Sequence, residues 1–232
     1  MAQGDFGPIT AVAMDFACTR GAAYFHSDPW RGSWQGEGGG LLINQAIHSL
    51  DLALWLGGCT PRTVTARVGR HWLDCIEVED WAEGIIRCER GPDCRFSARN
   101  HAEGGWHARI RIDCEQGHVL LGSDYSLAEL THPSQTLQAE LRAMDSLRGD
   151  AIPLPGKACY GPYHALQYQD FISAITADRP PQVGFAEAAV ANQVVLASYH
   201  SSACGGTPVE LPLQAYRQPV LPLQERNCSI AG

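Results

Sequence analysis

Gly38-Gly39-Gly40-Leu41-Leu42-Ile43-Asn44-Gln45-Ala46-Ile47-His48-Ser49-Leu50-Asp51-Leu52-Ala53-Leu54-Trp55-Leu56-Gly57-Gly58 is the stretch from which the rest of the chain is read. Glycines close a loop, an apolar-rich run follows, and two more glycines stop it. That is helix punctuation at both ends. Asn44, His48, Asp51 and Trp55 recur at helical spacing, and at ~100° per residue they fall within an arc of about 60°. Ile43, Ile47, Leu50 and Leu54 flank the stripe on one side, Leu52 and Leu56 on the other. A helix so apolar is buried over more than one side. A polar group carried into such a setting must be satisfied or used, because each unpaired buried polar group costs about 1–3 kcal/mol. Spacing alone leaves two readings open: a satisfied core histidine beside an exposed Asp, or a working side chain presented by the helix.

Size and composition narrow the class. The 232 residues suffice for one large domain or two small ones. Apolar residues make up 45% and charged residues 18%, the balance of a globular chain. The net charge of -8 is spread without long blocks, which argues against a nucleic-acid or membrane-surface binder. No apolar run is long enough for a membrane span. Residues 1–7 carry neither the basic nor the apolar region of a signal peptide. Nine cysteines are scattered with no CxxC pair, so neither a zinc site nor a disulfide framework is expected. Mostly buried thiols in a reducing, cytoplasmic setting are the expectation.

Along the chain, 9–17 alternates as a strand after the turn chemistry of Gly4-Asp5-Phe6-Gly7-Pro8. Residues 19–37 read as a loop centred on Trp30-Arg31-Gly32 and Trp34, either a pocket wall or simple packing. After the helix over 42–56 come strands over 63–70, 77–88, 94–100, 108–114 and 118–121. Short turns at 89–93 and 115–117 imply antiparallel pairing. Segments 127–130 and 135–147 fit short strands or one helix, and Pro153 and Pro155 mark a loop. Helices are predicted over 163–177 and over 185–204. The second has Ala189, Val190, Val194, Leu196 and Ala197 as its buried side and is stopped by Gly205-Gly206. Val209-Glu210-Leu211-Pro212 closes a domain spanning 1–213, leaving 214–232 as a tail.

With these residues placed, about 4–212 resembles the C-terminal domain of the glucose–fructose oxidoreductase / inositol dehydrogenase / MocA family. The resemblance rests on Trp30-Arg31-Gly32, Gly38-Gly39-Gly40, Asn44 through His48 to Asp51, Trp55-Leu56-Gly57-Gly58 and Glu77-Val78-Glu79-Asp80. It continues through Asp170-Phe171-Ile172-Ser173-Ala174-Ile175 with Arg179-Pro180, Glu187-Ala188-Ala189, and Gly205-Gly206 to Leu211-Pro212. It implies an α+β fold, a large predominantly antiparallel sheet with helices packed on one face. It also implies a sheet that forms a homo-oligomer, on the expectation that an exposed sheet face is an apolar patch needing cover.

Members of the family pair this domain with an N-terminal Rossmann domain that binds NAD or NADP. No G-x-G-x-x-G follows a strand and opens a helix here, and Lys157, the one lysine, lies in the wrong part of the chain for the family's lysine. The cofactor is therefore implied by the resemblance but not bindable by this chain alone. A separate Rossmann-domain chain is a possible partner. The resemblance places His48 at the family's catalytic histidine, a general base for the substrate hydroxyl. It gives Asn44 a substrate hydroxyl to bond or the imidazole to orient, and Asp51 a chance to fix the imidazole tautomer. It suggests Trp30, Arg31 and His164 as contacts for a sugar, cyclitol or related polyol. Three readings follow: the substrate domain of an NAD(P)-dependent oxidoreductase, a non-catalytic sugar-binding or scaffold paralogue, or a degenerate fragment without activity.

Overall fold

The computed structural model describes residues 4–102, 105–146 and 161–214. Lys157, Pro153, Pro155, Cys159, Cys228 and the tail from 215 onward, for which expectations are given above, lie outside them. The described chain builds one eight-stranded sheet in the order β7-β6-β5-β1-β4-β3-β2-β8. The strands are β1 (Ile9–Cys18), β2 (Thr60–Gly69), β3 (Trp81–Arg90), β4 (Cys94–Arg99), β5 (Trp106–Cys114), β6 (Gly117–Leu121), β7 (Leu127–Thr131) and β8 (Val209–Glu210). Every neighbouring pair is antiparallel except β1 with β4 at the centre. The fold is α+β, as the order of elements implies.

Strand periodicity sorts the side chains. Val12, Met14 and Phe16 of β1, Ile110 and Ile112 of β5, Phe96 of β4, and Val64 and Ala66 of β2 all point to one buried face. The helices lie on that face. The site helix runs from a π-helical turn, Leu42–Ala46, into α3 (Ile47–Leu56), numbered after the short helices α1 (Ala22–Phe25) and α2 (Trp34–Glu37). It sits over β1, β4 and β5. α4 (Gln135–Ser146) covers β7, with Leu137 and Leu141 against Leu130 and Val119. α5 (Gly161–Thr176) precedes α6 (Phe185–Ala203), which packs on β2. β2 is paired by β8 only at Thr63 and Val64. Beyond that pairing, Ser201 Oγ accepts from the Ala66 amide at 2.9 Å and Ser202 Oγ from the Val68 amide at 3.0 Å. The helix thus satisfies edge amides that would otherwise be orphaned.

Several expectations are corrected. The 19–37 segment holds two helical turns, α1 and α2, inside its loop. The strand expected from 77 begins at Trp81, because Glu77–Asp80 carries carboxylates that bond backbone elsewhere (below) and cannot run in the ladder. The ambiguous 124–146 stretch is one strand, β7, and one helix, α4. On α6, Val194 and Ala197 are buried with Ala191, Val195, Ser198, Tyr199 and Ser201. Ala189, Val190 and Leu196 are only half-buried, with Val190 and Leu196 at the margin of the core. On α5, Ala174 is buried while Leu166, Phe171, Ile172 and Ile175 face outward.

The open face of the sheet is not apolar. It carries Asp15, Glu83, Arg95, Ser97, Arg109 and Arg111 beside Ala11 and Ala13. Asp15 accepts from Ser97 Oγ at 2.6 Å and pairs with Arg99 at 2.8 Å and His107 at 3.1 Å. Burial would raise its carboxyl, but those partners hold it below the usual range. The alternation of period 2 turns every second residue of each strand outward, and here most of those residues are charged or small, with Ile85 and Leu120 as apolar members.

The seven described cysteines are free thiols: Cys18 and Cys94 buried, Cys59, Cys88 and Cys114 half-buried, Cys75 and Cys204 exposed. Among the described residues no helix is long and apolar enough to cross a membrane.

Candidate functional site

The N-terminus of the site helix is fixed by a carboxylate from elsewhere in the chain. Glu79, 2% exposed, accepts the Gly40 amide at 2.8 Å, the Leu42 amide at 2.9 Å and the Tyr199 hydroxyl at 2.9 Å. The two amides are donors that the first turn of a helix leaves without internal partners. Burial pushes the Glu79 carboxyl up to about 7, with the three donors pulling against it. Asp80, equally buried, takes the amides of His71, Trp72 and Leu73 at 2.6–2.8 Å. Two adjacent carboxylates therefore organise two loops, which is why this motif stands before the strand.

The glycines of the opening stretch have three separate reasons. Gly38 adopts φ 80°, a left-handed conformation that ends α2. A Cβ on Gly39 would stand 2.2 Å from the Tyr199 hydroxyl, and one on Gly40 would stand 2.2 Å from the carbonyl oxygen of Glu79. The run lets the chain approach Tyr199 and Glu79, so its space is filled by protein. It is not a cradle for a pyrophosphate, so this run does not fit the phosphates of a nicotinamide dinucleotide.

The polar stripe turns outward. Ala46, Ser49, Leu50, Ala53 and Leu54 are buried against the sheet, with Ile43, Ile47, Leu52 and Leu56 half-buried beside them. Asn44 is half-buried, His48 and Asp51 are exposed, and Trp55 is 75% exposed. The helix is thus buried over a wide arc, and the histidine is not a core histidine: it stands in the gap of that arc, facing solvent. Among the described residues it makes no hydrogen bond. Asp51 is close enough to feel its charge; partial withdrawal from water raises the Asp51 carboxyl, and His48 opposes that. The π-helical turn widens the backbone at Asn44, a local feature that recurs at functional sites.

Asn44 is built into a network. Its amide nitrogen donates to Glu37 Oε1, and its carbonyl oxygen accepts from Gln45 Nε2 at 2.5 Å. Glu37 Oε2 accepts the Gly32 amide at 2.7 Å, tying the Trp30-Arg31-Gly32 loop to the helix. Sequence reasoning missed Glu37, although it lies seven residues before Asn44. Asn44 retains one N–H and one lone pair for a ligand.

Beside this network lies a cavity of about 20 Å³, room for one water-sized group. It opens where β1 and β4 end and β3 begins, and its wall includes Cys18, Arg20, Tyr24, Glu37, Asn44 and Asn100. Burial pushes the Cys18 thiol up to about 11, so it is a wall and not a nucleophile at neutral pH. Arg31 and Trp30 stand outside this wall. The Arg31 guanidinium lies 4.2 Å from the Tyr24 ring and 4.4 Å from the Trp30 ring and pairs with Asp28 at 3.0 Å. His164 is an exposed residue of α5, on a separate element from the other candidates. The structure therefore brings Asn44, His48 and Asp51 together on one helix and holds the Trp30–Arg31 loop near Asn44 through Glu37.

Comparison with solved structures follows the same lines. The dehydrogenase WlbA from Bordetella pertussis, in complex with NADH and UDP-GlcNAcA, superposes with a TM-score of 0.73 at 26% identity over 91% of this chain and 59% of its own. WlbA from Chromobacterium violaceum, with the same two ligands, gives 0.74 at 25% identity over 93% and 58%. Levoglucosan dehydrogenase, in complex with NADH and levoglucosan, shares the fold at 21% identity with a TM-score of 0.68, over 90% and 60%. This chain thus spans about three fifths of the length of these proteins. No curated protein sequence matches it. A family model for the GFO/IDH/MocA C-terminal domain matches residues 1–120, more than half of the chain, and the chain belongs to that family.

Proposed function

We propose that this chain is the substrate half of an NAD(P)-dependent oxidoreductase acting on a hydroxyl of a sugar, cyclitol or related polyol, with the dinucleotide-binding half supplied by residues outside this sequence. The observation that carries the reading is the exposed imidazole of His48, presented one turn from Asn44 on a helix whose start is anchored by Glu79. Imidazole is the side chain best matched to proton transfer near neutral pH. Its work is to take the proton of the substrate hydroxyl, while Asn44 bonds a neighbouring hydroxyl and Asp51 orients the ring. Trp30, Arg31 and His164 are proposed as outer contacts of the same ligand. The redox group is not held by the described residues. The ligands of the structural neighbours, UDP-GlcNAcA and levoglucosan, support a sugar.

The test uses the chain as it is. Titrated with neutral polyols, the ¹⁵N-labelled protein is expected to shift the resonances of His48 and Asn44, while NADH alone leaves the spectrum unchanged. Tight NADH binding by this chain, or no response to any polyol, overturns the reading.

We further propose that a second copy covers the open face of the sheet, in a homo-oligomer. Arg95 and Arg109 have no ion-pair partner among the described residues, and the same face carries Glu83 and Asp113. A two-fold axis sets the bases of one copy on the acids of the other. Light scattering is expected to give a dimer or larger species that Arg95→Glu shifts to monomer. A wild-type chain that stays monomeric at tens of micromolar excludes it. The free thiols support placing the protein in the reducing cytoplasm.

A further inference from the structure

Arg20 is the one cation in the wall of the cavity beside Asn44. Its backbone is clamped on both sides by one buried residue: Asn100 Oδ1 accepts the Arg20 amide at 2.7 Å, and Asn100 Nδ2 donates to the Arg20 carbonyl at 2.9 Å. The Arg20 guanidinium lies 5.1 Å from the Tyr24 ring. Its Nε–H is buried and has no hydrogen-bond partner among the described residues. A buried donor left unpaired costs about 1–3 kcal/mol, so an orphan on a cavity wall marks a place where a partner is missing.

The three carboxylates of the same wall do not supply that partner. Glu37 is taken by the Gly32 amide and Asn44, Glu79 by the helix start and Tyr199, and Asp80 by three loop amides. We propose that Arg20 receives a carboxylate of the ligand, making this the site of an acidic sugar or polyol acid, such as a uronate. The inference rests on the polyol reading of the site and narrows it. Shape and charge of the donor favour a carboxylate over a phosphate. A single guanidinium matches the planar, singly charged carboxylate edge to edge, and a dianion would sit against Glu37, Glu79 and Asp80. With the carboxylate seated at Arg20, the rest of the ligand lies toward Asn44 and His48.

The experiment is a parallel titration of the ¹⁵N-labelled chain with D-glucuronate, D-glucose and D-glucose 6-phosphate, following the arginine Nε–H resonances. Glucuronate is expected to move the Arg20 Nε–H signal and to bind about tenfold or more tightly than glucose. Arg20→Gln is expected to bring glucuronate down to the level of glucose and leave glucose unchanged. If glucuronate and glucose bind alike and the Arg20 signal stays still, the carboxylate assignment falls while the polyol reading stands. A preference for glucose 6-phosphate also overturns it. If neither sugar binds, the polyol reading falls and takes this inference with it. Should Arg20→Gln not fold, the wild-type Nε–H shift still decides.

Discussion

Glu79→Ala is expected to destabilise the fold by about 3 kcal/mol or more, lowering the melting temperature by roughly 6–12 °C. The reason is the number of donors left behind. The Gly40 and Leu42 amides and the Tyr199 hydroxyl all end on this one carboxylate, inside a region closed to solvent. Truncation leaves each without its acceptor, and an unpaired buried donor costs about 1–3 kcal/mol. Two of those donors open the site helix, so its first turns should fray before the sheet does. A thermal melt measures the first effect and amide exchange at 40–46 the second. A loss below about 1 kcal/mol would mean that water replaces the carboxylate, and the anchoring role would be lost.

The same residue sets a pH dependence with a definite sign. Burial puts the Glu79 carboxyl near 7 in the folded chain against an ordinary 4.5. Below 4.5 the folded and unfolded states are both protonated, and the contribution to stability is fully present. Between the two values the unfolded state ionises while the folded state keeps its proton, so stability falls as pH rises toward 7 and levels off above it. The total is on the order of 3 kcal/mol. Glu79→Gln cannot ionise, and its melting temperature should be flatter over the window from 4.5 to 7. Parallel curves for the two proteins would refute the assignment.

What the sequence shows and what it hides divide along contact range. The site helix was legible because its signals are local: glycines at both ends and apolar spacing between them. The strands were legible for the same reason, as alternation needs no knowledge of partners. The motif at 77–80 was visible as a motif and misplaced as a strand, because the partners of Glu79 lie 37–120 residues away at Gly40, Leu42 and Tyr199. The open sheet face was expected to be apolar, yet Arg95, Arg109 and Arg111 fall on it through a register that only the assembled sheet defines. Arg20 was invisible for a related reason. It stands just past the end of β1, at the start of the 19–37 loop and away from its tryptophans, and its position depends on Asn100, 80 residues further on. The outward side chains of α5 could not be read either: apolar spacing predicts a buried face but does not say what covers it.

His48→Gln is expected to lower turnover by about 10²–10⁴-fold once a dinucleotide-binding half is supplied, for example by fusing that half of a WlbA relative to this chain. Glutamine keeps a polar group near the same place but has no titrating nitrogen, so the loss should fall on turnover more than on substrate binding. Asp51 separates chemistry from scaffolding. It is exposed, it senses the charge of His48, and it makes no hydrogen bond among the described residues. Asp51→Asn removes the charge beside the ring, and turnover should fall with little change in melting temperature. Asn44 offers the opposite control, since its amide is tied to Glu37. Asn44→Asp sets two carboxylates against each other and should disturb the Trp30–Arg31 loop as well as the ligand. A fusion that binds both ligands and turns over without regard to His48 would leave that histidine a surface residue and move the proton transfer elsewhere. A fusion that binds polyol but turns over nothing in any variant would favour the non-catalytic sugar-binding reading of this chain.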